Sequence, residues 1–262
     1  MLIRSLKLSL LIISVSTALM AQNSGSSPQT NSGSPSQSTD TKTVQTVMAG
    51  TGIHDLADNP VAQVRNNREW ELGPFVNWGT GLGNRDNYKF FFTGVQGGMV
   101  LTPVIHAGIL SGQFEYGVNV IPLWQAYTPA PHTEILDCQG QPCDVPVGGG
   151  TFTGVSLTPV IFRWNFLTHY RHFQPWFQAA GGLIYTTHKF PPDVLVPHGT
   201  PGGTSVWNFS PQGGFGFHYF LRPGRSIDVS GNGVHISSAS LGDRNPGVNA
   251  SLQFQVGYTF WK

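Results

Sequence analysis

The chain has 262 residues, of which 39% are hydrophobic and only 10% charged, with a formal net charge of +1. Soluble domains carry about 25% charged residues, so this composition does not describe an ordinary water-facing surface. The even charge balance supplies no basic field, which sets nucleic acid aside as a partner.

In chain order, Arg4 and Lys7 precede an apolar run from Leu8 to Met20, with small residues at Ala18 and Ala21. That layout predicts a secretory signal peptide over residues 1–21, cleaved after Ala18 or Ala21; a retained anchor helix is the alternative. No later segment reaches the ~18 consecutive apolar residues of a spanning helix, so any membrane crossing falls to strands. Residues 22–68 are expected to be a low-complexity tether and lead-in. Gln22 to Thr46 is almost wholly Ser, Thr, Gly, Pro, Asn and Gln, which cannot bury a core. Met48 to Asn67 is less polar, and Ile53 to Val64 reads either as a short helix or as an irregular lead-in.

From residue 69 to 262, apolar and polar residues alternate with a period of two, the signature of strands with one oily face. Trp70, Leu72, Pro74, Val76 and Trp78 oppose Glu69, Glu71, Gly73 and Asn77. Further strands are predicted over Tyr88–Val104, around Phe114–Val120, around Val155–Ile161, over His172–Thr186, over Trp207–Tyr219 and over Ser226–Ser238. The last is Ser251–Lys262, where Leu252, Phe254, Val256, Tyr258 and Phe260 take every second position. The fold class expected is all-β, an eight-stranded antiparallel transmembrane barrel. A mean hydropathy of −0.08 suits a barrel, in which only alternate residues face lipid.

The connections test that count. With the N-terminal side in the periplasm, long outside loops are expected at Gly79–Asn87, Ala126–Gly150, Thr187–Thr204 and Ala239–Asn245. Short periplasmic turns are expected at His106–Leu110, Leu167–Arg171 and Leu221–Arg225. Long and short alternate as a barrel requires. Cys138 and Cys143 fall in the second outside loop, and in an exported chain such a close pair reads as a local disulfide.

Most patterns suggestive of chemistry have plainer readings. Gly79–Gly83 leads into a strand rather than a helix, so it is a tight loop and not a phosphate cradle. His169 and His172 sit at a turn without carboxylate support. Glu71, Glu115, Arg163 and His218 are expected to fill a narrow lumen as a hydrogen-bonded network. No pattern calls for a cofactor or a bound metal.

The seventh strand stands apart. His235 and Ser237 are two apart, so their side chains project from one face about 7 Å apart along the strand. An imidazole beside a hydroxyl is the smallest unit for nucleophilic acyl transfer. Parity groups them with Ile227, Val229, Gly231 and Gly233, on the outward face, and places Asp228, Ser230 and Asn232 inside.

The aromatic C-terminal strand resembles the closing strand of bacterial outer-membrane barrels, which the barrel-assembly machinery reads during biogenesis. The His-x-Ser-x-Ala run at His235, Ser237 and Ala239 resembles the lipid A 3-O-deacylases (PagL) and related acyloxyacyl hydrolase-like barrels. That resemblance spans about the last thirty residues, including Asn245-Pro246-Gly247. It implies an eight-stranded outer-membrane barrel, lipid A of lipopolysaccharide as partner, and a membrane-facing esterase triad that removes an ester-linked acyl chain. The family's motif Asn is Ser238 here, and the position of its triad Glu, fourteen residues after the His, is Asn249. The resemblance thus makes His235, Ser237 and Asn249 the catalytic candidates. By simple parity, however, Asn249 falls on the inner face, and the nearest carboxylate is Asp243. Two functions stay open: a lipid A deacylase weakened by loss of the acid, and a catalytically silent barrel with an envelope-stabilising or adhesive role.

Overall fold

A computed structural model describes residues 59–147, 149–192, 205–239, 241 and 249–262. The expected signal peptide and all but the last part of the expected lead-in lie outside these residues.

Eight antiparallel staves close on themselves. They are β1 (Trp70–Gly81), β2 (Lys89–Val100), β3 (Gly112–Tyr127), β6 (Thr151–Phe166), β7 (Phe173–Phe190), the pair β8 (Ser205–Phe209) and β9 (Gln212–Arg222), β10 (Arg225–His235) and β11 (Ala250–Trp261). β1 pairs with both β2 and β11, and β6 pairs with both β3 and β7, so the sheet closes into a barrel. β8 and β9 are one stave. Leu183 opposite Phe209, reciprocal bonds between Gly182 and Ser210, and Ala180 opposite Gln212 hold one register across the break. Pro211, which has no N–H for the ladder, is what divides it.

The alternation read from the sequence is the alternation of faces. Trp70, Leu72, Val76, Trp78, Phe254 and Phe260 are exposed around the outside, whereas Glu71, Asn77, Ser251, Gln253 and Thr259 are buried within. Inward glycines make room for this filling: a Cβ on Gly214 would lie 2.3 Å from Asn232 Oδ1.

The connections sort by end, with corrections to their bounds. The short turns span residues 101–111, 167–172 and 223–224. The first is longer than the expected His106–Leu110, because β2 stops at Val100, short of Pro103. Pro223-Gly224 is a tight turn with Gly224 at φ 74°, a conformation that suits a residue without Cβ. At the other end, the expected loop Ala126–Gly150 contains a further hairpin, β4 (His132–Cys138) and β5 (Gln141–Val147), turning at Gln139-Gly140. β7 runs four residues past the expected Thr186.

The interior has two layers. Towards the long-loop end, Phe190 is ringed by Tyr88, Phe90, Trp124 and Phe152, with ring centroids 5.3–6.4 Å apart. Towards the short-turn end the filling is polar, and a helix closes it. This helix, α1 (Pro60–Asn67), takes in the last part of the expected Ile53–Val64 segment and runs on to Asn67, residues 53–58 lying outside the described residues. Asn59 Oδ1 caps it by accepting the Ala62 N–H at 3.0 Å, with Pro60 in the first turn, where a missing N–H costs nothing. Arg68 ends it in a left-handed conformation. Val61 and Val64 pack on Val100, Phe220 and Trp261, and Gln113 Nε2 donates to the Arg65 carbonyl at 3.0 Å.

Candidate active site

His235 is the last residue of β10 and half-buried on its outer side. Its backbone N–H donates to the Pro211 carbonyl at 2.9 Å, and Ala250 lies directly opposite it on β11. Beyond β10 the chain keeps its register. Phe209 N–H donates to Ser237 O at 2.7 Å, and Ser237 N–H donates to Phe209 O at 3.0 Å. Directly opposed residues in an antiparallel ladder share a face. Phe209 is exposed on the outside, so Ser237 lies on the outer face too. No bulge separates it from His235, and the two positions share that face as their spacing predicts.

Ser237 is only 9% exposed. Its Oγ accepts the Ala239 N–H at 3.1 Å, and Leu241 N–H donates to the Ser238 carbonyl at 2.9 Å. Ala239 has φ 49°. The ladder therefore gives way to a turn just after the serine, at the long-loop end. Ser238 is buried with its Oγ unpartnered.

Asn249 is not brought to that face. Ile236 N–H donates to the Asn249 carbonyl at 2.9 Å, one step beyond the His235–Ala250 pair. Ile236 is 1% exposed and Asn249 is buried inside, its amide oxygen and nitrogen both unpartnered. The register is unbroken here, so the inner placement given by parity holds, and the Asn249 side chain lies on the face opposite His235. Among the described residues no side chain hydrogen-bonds the His235 ring. Asp243 lies outside the described residues.

The expected luminal network is present and larger than the four residues expected. Arg163 Nη1 donates to Glu71 Oε1 at 3.1 Å and also to Glu115 Oε1. Asn165 Nδ2 donates to Glu115 Oε2 at 2.6 Å, and Gln96 Nε2 to Glu71 Oε1 at 2.8 Å. The Arg163 guanidinium also lies 4.4 Å from the Trp176 ring centre. His218 Nδ1 is 2.7 Å from Asp228 Oδ1, and Ser226 and Thr259 hydroxyls donate to the same carboxylate. Asp228 had only its parity to mark it; its role emerges from the β9–β10 register that sets it opposite His218.

The sequence profile of the lipid A 3-O-deacylase (PagL) family matches residues 113–259, more than half of the chain and inclusive of His235, Ser237 and Asn249. The chain belongs to the PagL family. This PagL-family barrel is similar to the solved outer membrane enzyme PagL, with 14% identity and a TM-score of 0.45, covering 72% of this chain and 98% of that one. It is also similar to Neisserial surface protein A (13% identity, TM-score 0.44, 73% of this chain and 96% of that one). A third similar structure is OprG from Pseudomonas aeruginosa, with 10% identity and a TM-score of 0.38, covering 74% of this chain and 95% of that one. Among curated protein sequences no relative matches.

Proposed function

We propose that this outer-membrane barrel is an esterase that removes an ester-linked acyl chain from lipid A, with Ser237 as nucleophile and His235 as general base. The observation that carries this reading is the unbroken ladder from His235 to Ser237, which sets an imidazole and a hydroxyl on the outer face at the long-loop end. In a membrane oriented with the short turns and the N-terminal tether in the periplasm, that end meets the outer leaflet, where lipid A resides. The reaction runs in two steps. Ser237 Oγ attacks the ester carbonyl while its proton passes to His235; the tetrahedral intermediate collapses, and the proton goes to the departing sugar hydroxyl. Water then attacks the acyl-serine, again giving its proton to His235, and releases the fatty acid and free serine.

Turnover is slow in this reading. With Asn249 inside the barrel, no acid of the motif stabilises the imidazolium, and loss of that charge costs on the order of 10⁴ in a serine-protease triad. The same observation favours the second reading, a catalytically silent barrel with an envelope-stabilising or adhesive role. Lipid A mass separates them. In a host with unmodified lipid A, expression lowers the mass by one hydroxyacyl group and Ser237→Ala restores it. Unchanged lipid A, with the barrel folded in the outer membrane, supports the silent reading.

The β4–β5 hairpin belongs outside the cell in this orientation, and we propose that Cys138 and Cys143 are bridged there. Cys138 opposes Gln141 and Leu136 opposes Cys143, so the two cysteine positions are diagonal neighbours on one face of the ribbon, within reach of a disulfide.

A further inference from the structure

The polar layer at the short-turn end of the lumen has a defect that hydrogen bonding alone does not repair. Glu71 Oε2 and His218 Nε2 are both buried without a partner, on residues that are 2% and 0% exposed. Buried polar atoms are nearly always satisfied, and each one left over calls for an explanation. These two belong to one cluster: a donor atom from each of Glu71, His218 and Asp228 lies within 4.8 Å of the others. Glu115 Oε2 is 4.0 Å from His218 Nε2. The cluster is rich in carboxyl groups as well. Glu71, Glu115 and Asp228 bring three carboxylates, and Arg163, bonded to two of them, brings one positive charge.

From this we infer that the lumen holds a divalent transition-metal ion, best matched by Zn²⁺, bound by His218 Nε2 with Glu71 and Glu115. The ion supplies the missing partner of both atoms. The imidazole favours zinc over calcium or magnesium, which take oxygen donors. Asp228 plays the supporting part. Its carboxylate accepts His218 Nδ1–H at 2.7 Å, which fixes the tautomer with Nε2 as the open lone pair, the usual arrangement behind a metal-bound histidine. Asp228 is held in turn by Ser226 and Thr259. Tetrahedral zinc at ligand distances of about 2.0–2.2 Å sets its donors roughly 3.4 Å apart, so His218 Nε2 and Glu115 Oε2, now 4.0 Å apart, have to draw together on binding. The ligands come from β1, β3 and β9 and the support from β10, so the ion ties four staves together. The site is luminal, on the inner side of the wall from His235 and Ser237, and does not depend on the esterase reading.

The test is made on the mature chain without an affinity tag, unfolded and refolded in detergent with Zn²⁺ or Co²⁺, then passed through EDTA to strip exposed histidines such as His106. The folded barrel should retain about one zinc per chain, unfold at a higher temperature than the barrel refolded without metal, and show visible cobalt absorption when refolded with Co²⁺. His218→Gln and Glu71→Gln should each lose the metal while keeping the gel shift of a folded barrel. A folded wild-type barrel with no more zinc than the metal-free preparation overturns the site, as does equal retention by both variants. If a variant does not fold, wild-type stoichiometry and the cobalt spectrum decide alone: absence of both overturns the site, and presence of both supports it.

Discussion

Phe209 and Ser237 exchange two backbone hydrogen bonds, at 2.7 and 3.0 Å, across the gap between β8 and the end of β10. That pair carries the strand register past His235 and fixes which face the serine takes. A one-residue slip there would turn Ser237 inwards.

The same register says where an acid would work. Ala250 is directly opposite His235, a placement with Cβ atoms about 5 Å apart. Ala250→Glu should raise deacylation of lipid A by about tenfold or more, at a folding cost of about 1 kcal/mol or less near the membrane interface. Asn249→Glu should not raise it, because that side chain points into the barrel. It should instead destabilise by about 3 kcal/mol, through an unpaired buried carboxylate. Lipid A mass spectra and urea unfolding of both variants check this; a rate gain from Asn249→Glu would mean the strand slips.

Arg163 holds Glu71 and Glu115 together in the lumen. Arg163→Met should cost about 3–5 kcal/mol, because it strands both carboxylates. Adding Glu71→Gln and Glu115→Gln should recover most of that loss. The unfolding midpoint in detergent reads both.

Val64 is buried under the short-turn end, whereas Val76 is 43% exposed on the outer wall. Val64→Ala should cost about 1–2 kcal/mol through the cavity it leaves against Phe220 and Trp261. Val76→Ala should stay within about 0.5 kcal/mol. Equal losses would mean that α1 is not part of the folded unit.

In intact cells, a membrane-impermeant thiol reagent should label Cys138 and Cys143 only after reduction. Labelling without reduction would remove the proposed bridge. Labelling only after lysis would put the β4–β5 hairpin in the periplasm and invert the orientation.

The sequence by itself determined the wall of this protein. A period of two forces side chains to alternate between faces, so Trp70, Leu72 and Phe254 outside and Glu71, Gln253 and Thr259 inside were legible before any coordinate, as was the placing of His235 with Ser237. Tight turns were legible where Pro and Gly dictate them, as at Pro223-Gly224. What only the tertiary structure decided was pairing between distant strands, because local alternation fixes a face but not a neighbour. His218 meets Asp228, and Arg163 reaches Glu71 across 92 residues of chain, only because closure and register bring those staves together. The same holds for α1, whose Val61 and Val64 become core only where the barrel end offers Phe220 and Trp261. It holds as well for Asn249: the family motif points to it by counting residues, but the ladder to Ile236 decides its face, because backbone hydrogen bonds across the sheet, not distance along the chain, orient a side chain.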